Sequence, residues 1–146
     1  YVADRLYNLP EIEKNLEEGK VVILDRYTIS NMAHQGSKKG TSEERQEIFE
    51  FYDKLEFDML GLPRPDAVIL LHMPHENVME IMKNRDEPLD EVEKSPEHFK
   101  RSEDTYLQLK DLYGFKYVSC VNGGNVRTRE DISEEVYGLV KEILND

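Results

Sequence analysis

Val21-Val22-Ile23-Leu24-Asp25-Arg26-Tyr27-Thr28-Ile29-Ser30-Asn31 is the stretch on which the reading of this chain turns. Val21 to Leu24 are wholly apolar and largely β-branched, the kind of run that fills a strand buried on both faces of a parallel sheet. The run leads directly into an acid and a base. Open α/β sheets place their ligands beyond the carboxyl ends of the strands. A carboxylate and a guanidinium delivered there suit magnesium and phosphate, which predicts phosphate chemistry without naming a substrate.

Working outward, Leu6, Leu9, Ile12 and Leu16 keep helical spacing from almost the first residue, predicting a helix over 1–18 that stops at Gly19. The predicted order continues with strand 21–24, helix 42–59, strand 67–72, helix 75–84, loop 85–95, helix 96–113, strand 116–121 and helix 129–144. Strands alternating with helices imply an α/β fold, a parallel sheet covered on both faces in three α/β/α layers, read as a single domain over 1–146. Thr41 with Glu44 has the form of a capping box. Ser95-Pro96 reads as an N-cap followed by proline at the first helical position, and Thr128 with Asp131 as a capping box with the shorter acid. Ile132, Val136, Leu139, Val140 and Ile143 form one stripe of the last helix, expected to pack on the sheet.

The chain has 146 residues and a formal net charge of −12. That charge argues against a polymeric nucleic acid as partner, since affinity for a phosphate backbone comes mainly from clustered Lys and Arg. A small nucleotide remains compatible, because a few arginines in a cleft set a local positive field within an acidic surface. No apolar run approaches membrane length, so no membrane association is expected and the compartment is read as cytoplasmic. The single cysteine, Cys120, lies in the predicted strand 116–121 and reads as a buried, inert thiol of a reducing compartment.

Around the opening stretch stand Tyr1-Val2-Ala3-Asp4-Arg5, Ser30-Asn31, Ala33-His34-Gln35-Gly36 and Leu62-Pro63-Arg64-Pro65-Asp66 before the strand 67–72. In this combination and order the chain resembles the thymidylate kinase family, phosphate-loop kinases that convert dTMP to dTDP with ATP. The pattern G-x-x-x-x-G-K-[ST] is absent; Gly36-Ser37-Lys38-Lys39-Gly40-Thr41 has neither its spacing nor its strand-to-helix context. The chain therefore reads as the C-terminal portion of a P-loop kinase-like fold, incomplete at the N-terminus, and as catalytically inactive on its own, because no backbone cradle receives the ATP triphosphate.

The resemblance assigns roles to residues. It implies that Arg26 binds the acceptor phosphate and acts in catalysis, and that Asp25 holds Mg2+ through water. Arg5 takes the place of a phosphate-binding arginine and Tyr1 that of the aromatic that stacks on the base. Asn31 offers the donor and the acceptor needed to read N3–H and O4 of thymine, and Gln35 serves base or sugar. His34 stands where many members carry a tyrosine beside the sugar, which leaves ribose discrimination open. The segment of about 83–95 corresponds to the lid over ATP, with Lys83 and Arg85 as its cations and Asp90-x-x-Glu93 as a recurring acidic pair. Glu91 stands where one subgroup supplies an arginine, so the resemblance implies that either Arg85 swings inward or the phosphate loop absent from this chain brings a cation.

Helix 42–59 carries Ile48, Phe49, Phe51, Tyr52, Leu55, Phe57 and Met59, more apolar circumference than one core-facing stripe needs. It is either buried within its own domain or, as the resemblance implies, a homodimer seam. His72, His75 and His98 lack the cysteine partners and spacing of a zinc site. The expected partners are dTMP and ATP. Two rivals stand beside this reading: a kinase of another deoxynucleotide or of a deoxynucleoside, and a nucleotide-binding or dimerisation module without a phosphate loop or activity.

Overall fold

The computed structural model describes residues 2–83 and 95–145. They belong to two compact units, Tyr1–Pro65 and Asp66–Asp146, each with its own core.

In the first unit, helix α1 (Val2–Glu17) is followed by α2 (Thr28–Gly36) and α3 (Ser42–Asp53), which widens into a π-helical stretch, Lys54–Met59. The start of α3 is fixed locally. Thr41 Oγ1 accepts from the Glu44 backbone N–H at 3.2 Å, and Glu44 Oε2 accepts from the Thr41 backbone N–H at 3.1 Å. This capping box satisfies donors the helix cannot satisfy internally. The core is built by Met32, Ala33, Phe49, Phe57 and Leu62. In the π-helical stretch, the Leu60 N–H bonds to the Leu55 carbonyl at 3.0 Å, and consecutive residues Glu56 and Phe57 are both buried. The apolar surplus of the expected helix 42–59 divides: Phe49 is fully enclosed, whereas Phe51 and Met59 are exposed.

Two features of this unit depart from the sequence reading. The strand expected at 21–24 does not form: Val21, Ile23 and Leu24 lie in irregular backbone with 56%, 79% and 43% exposure. An apolar run becomes a parallel strand only where neighbours offer it a ladder, and among the described residues no strand pairs with this one. Helix α2, in contrast, arises where the sequence reading placed no element. Its buried face is Thr28, Met32, Ala33 and Gly36. Positions 28, 32 and 36 have helical spacing, but only one of the three is a large apolar residue.

In the second unit, β1 (Ile69–His72) and β2 (Lys116–Ser119) pair in parallel, with Ile69 opposite Lys116 and His72 opposite Ser119. Between them the chain runs through α4 (His75–Lys83) and α5 (Pro96–Tyr113). Ser95 caps α5 through its Oγ, which accepts from the His98 N–H at 3.3 Å, with Pro96 in the first turn. Met82, Leu109, Val118 and Cys120 form the core, with Thr105 buried among them. Burial pushes the Cys120 thiol up, away from the reactive thiolate.

The expected strand 116–121 divides. After β2, residues Val121–Asn122 (β3) turn back onto Asn125–Val126 (β4) in an antiparallel hairpin. Gly123 and Gly124 have φ of +56° and +84°, the left-handed pair that a two-residue hairpin turn of this hand demands. Helix α6 (Arg129–Asn145) closes the chain, with Asp131 N–H donating to Thr128 Oγ1 at 3.1 Å; its apolar stripe is half-buried. Helices together with a parallel strand pair make this an α/β fold, as expected.

Candidate active site

Arg26 is the one described residue other than glycine with positive φ, +69°. A left-handed arginine costs about 1–2 kcal/mol, and such residues persist where the surroundings demand a particular side-chain direction. It sits between the exposed Asp25 and Tyr27, at the end of the irregular 20–24 segment and just before α2.

A groove of about 340 Å³ opens beside it. Arg5 and Asn8 of α1 line it together with Leu24, Arg26 and Tyr27, so the guanidinium-bearing residues 5 and 26 border a single hollow. The Tyr27 hydroxyl donates to the Pro63 carbonyl at 3.2 Å, tying the groove wall to the proline-rich segment. Burial raises the Tyr27 phenol's pKa; the Arg5 charge works against this and Glu56 adds to it.

Behind the groove lies a carboxylate that the sequence reading passed over. Glu56, in the π-helical stretch, is 0% exposed. Its Oε2 accepts from Arg5 Nε at 2.8 Å and lies 2.6 Å from Arg5 Nη2. The Nη2 approach is an ion contact without hydrogen-bond alignment, so that buried nitrogen has no aligned acceptor. The other oxygen, Oε1, accepts from Asn31 Nδ2 at 2.9 Å. One buried carboxylate thus joins α1 to α2, and with them Arg5 to Asn31. The signal for it was an acid between Leu55 and Phe57, with Asp58 as the next acid along, in a helix where only the apolar residues were counted.

The remaining predicted residues fall as follows. Asp25 is exposed and, among the described residues, makes no hydrogen bond or ion pair. His34 is exposed on α2, and Gln35, half-buried, accepts from Lys38 Nζ at 3.0 Å. Lys83, exposed, ends α4 in the second unit. Tyr1, Arg85, Glu93 and the rest of the lid-like segment from 84 to 94, Asp90 and Glu91 included, lie outside the described residues.

Arg64, of the Pro-x-Pro-Asp segment, grips Asp53 with both Nη1 and Nη2 at 2.8 Å, reaches Asp58 at 3.0 Å and lies 4.4 Å over the Phe57 ring. Hydrogen bonding to Asp53 raises its pKa further still. This clamp holds the π-helical stretch, and with it Glu56, against the end of the unit.

A second polar cluster lies in the other unit. Glu103 of α5 accepts at 2.6 Å from His72 Nε2 through Oε1 and at 2.6 Å from His75 Nδ1 through Oε2, and His72 Nδ1 meets the Tyr117 hydroxyl at 2.6 Å. His75, Glu76 and Glu103 bring three ligating atoms within 4.8 Å, but the imidazoles are already given to the shared carboxylate. Burial pushes the Glu103 carboxyl up, yet the hydrogen bonds from His72 and His75 outweigh it and hold the group below its ordinary 4.5. A lowered folded-state pKa contributes stability that is fully present above the unfolded value and is lost as pH falls through the folded one. The urea midpoint is therefore expected to fall as pH drops below about 4.5, and less steeply in Glu103→Gln; parallel pH curves for the two proteins would refute this.

A family model described as thymidylate kinase matches residues 1–136. The chain belongs to the thymidylate kinase family. It is 32% identical over 145 residues to a probable thymidylate kinase of Pyrococcus abyssi, covering 99% of this chain and 63% of that protein. It is 33% identical over 147 residues to a probable thymidylate kinase of Thermococcus gammatolerans, covering 99% and 64%. With a thymidylate kinase of Leuconostoc mesenteroides it shares 33% over 151 residues, 100% of this chain and 66% of that one. The chain thus spans somewhat under two thirds of these relatives' lengths. Among the described residues, no helix is long and apolar enough to cross a membrane.

Proposed function

We propose that this chain supplies the acceptor side of a thymidylate kinase, binding dTMP so that its phosphate attacks the γ-phosphate of Mg-ATP. A phosphate oxygen of dTMP forms the new P–O bond, the bond from the γ-phosphorus to the bridging oxygen breaks, and ADP leaves with dTDP as product. Family membership favours this reading over the rival acceptors and over a non-catalytic module. The observation that carries it is the shared groove of Arg5 and Arg26, with Asn31 tied to Arg5 through Glu56.

Phosphoryl transfer asks the protein for position and charge. Arg26 has no ion pair among the described residues, so its guanidinium is open to the acceptor's dianion, although Asp4 and Glu11 border the same groove. The charge of Arg5 is offset by Glu56. We therefore assign the phosphate chiefly to Arg26 and move Arg5, despite its expected phosphate role, toward the base beside Asn31. Asp25 is a free, exposed carboxylate, the hard oxygen donor that Mg2+ accepts, and the ion would supply neutralising charge to the phosphates. Tyr1 as stacking aromatic, His34 and Gln35 near the sugar, Lys83 and Arg85 on the ATP side and Glu93 on the acceptor side complete the assignment. Exposed Phe51 and Met59 on the 42–59 helix favour pairing with a second copy, and the co-substrates favour a cytoplasmic setting.

Calorimetric titration tests the reading. Saturable binding of dTMP is expected, with thymidine and inorganic phosphate each binding more weakly; no saturation by dTMP would overturn it.

A further inference from the structure

The contacts of Glu56 decide which way round Asn31 can stand. A carboxylate only accepts, so the asparagine atom facing Glu56 Oε1 at 2.9 Å must be the amide nitrogen. The carbonyl Oδ1 is then the atom left for a ligand. On the other side, Glu56 Oε2 takes Arg5 Nε, and the rest of the guanidinium offers only donors. Because Glu56 is 0% exposed and bonded on both oxygens, water cannot relax this arrangement.

We infer that Glu56 is a positioning residue for nucleobase selection: it locks Asn31 and Arg5 into an acceptor-plus-donor pair complementary to a base with a ring N–H beside a carbonyl. Thymine and uracil present that edge. Cytosine presents the inverse, a ring acceptor beside an exocyclic amine, so its ring nitrogen meets the Asn31 carbonyl acceptor to acceptor and its amine meets the Arg5 guanidinium donor to donor. The inference rests on the reading of the groove as a nucleotide site and adds to it the atom-level origin of the choice between keto- and amino-pyrimidines. Glu56 need not touch the base to set this choice; it acts through the two side chains it holds.

Isosteric substitutions test it by calorimetric binding of dTMP and dCMP to the chain. In Glu56→Gln the single remaining oxygen goes to Arg5, and the new amide N–H turns toward residue 31. Asn31 then flips to accept from it, and presents N–H to the base. The preference for dTMP over dCMP is expected to fall by about tenfold or more, the scale of a buried hydrogen bond exchanged for a mismatch.

The swap Asn31→Asp with Glu56→Gln restores an acceptor at position 31, because the carboxylate placed there accepts from the new amide at position 56 on one oxygen and turns the other to the base. It also keeps the net charge of the pair. Recovery of the dTMP preference in the swap is therefore expected, and far-UV circular dichroism with urea melts of each variant separates misfolding from altered choice. A Glu56→Gln protein that folds and discriminates like the unsubstituted chain overturns the inference while the nucleotide site stands, as does a folded swap variant without preference. Failure of the unsubstituted chain to bind dTMP at all overturns the reading beneath it.

Discussion

Replacing Arg26 with methionine is expected to weaken dTMP binding by about a hundredfold or more while leaving the urea melt unchanged. The reasoning is electrostatic. Among the described residues Arg26 is the groove-lining cation that makes no direct ion pair, though Asp4 and Glu11 line the same groove, whereas Arg5 is paired with Glu56. A charge-assisted, two-pronged contact to a dianion is among the stronger single interactions available, and truncating such a partner costs about 2–5 kcal/mol. Lysine restores charge but not the fork, so Arg26→Lys is expected to recover only part of the loss. Thymidine, which lacks the phosphate, serves as the control: its affinity should barely change. Equal losses for dTMP and thymidine would mean that Arg26 supports the shape of the groove and leaves the phosphate to another group.

The largest expected effect on stability lies at Phe49. This ring is 0% exposed in the core of the first unit, and Phe→Ala in such a place costs about 3–5 kcal/mol through lost transfer energy and the cavity left behind. Native domains hold only about 5–15 kcal/mol in total, so Phe49→Ala should shift the urea midpoint sharply or abolish folding of this region. Phe51, two residues further along the same helix, is 58% exposed, and Phe51→Ala should change stability by less than about 0.5 kcal/mol. The two melts side by side check the division of the helix into an inner and an outer face; comparable losses would show that Phe51 is covered in solution.

Where structure is decided locally, the sequence was readable. The capping box of Thr41 and Glu44 and the Ser95-Pro96 helix start depend on residues three apart, and both appear as expected. The strands β1 and β2 were legible because each carries enough apolar character to be drawn to a partner that the chain provides. The run Val21 to Leu24 has the same character, but strand formation is a property of pairs, and that information is not contained in the run itself. Helix α2 escaped for the opposite reason: its buried face uses threonine and glycine, which a count of apolar residues ignores.

The site divides in the same way. Arg5, Asn31 and Arg26 stand out by residue type and motif, and Arg5 and Arg26 border the same groove. Glu56 lies 51 positions from Arg5 and 25 from Asn31, and no local pattern announces that an acid will fold inward to meet them. Only the π-helical widening, which turns two successive residues inward, makes its place intelligible.

The backbone of residue 26 carries one more implication. A glycine, asparagine or aspartate would rest comfortably at φ +69°, so ordinary mutational drift at this codon runs downhill for the fold and uphill for the ligand. The position works as an arbiter between robustness and chemistry: relatives that have abandoned phosphate binding should be recognisable by a glycine, asparagine or aspartate at that single position, well before their cores begin to change.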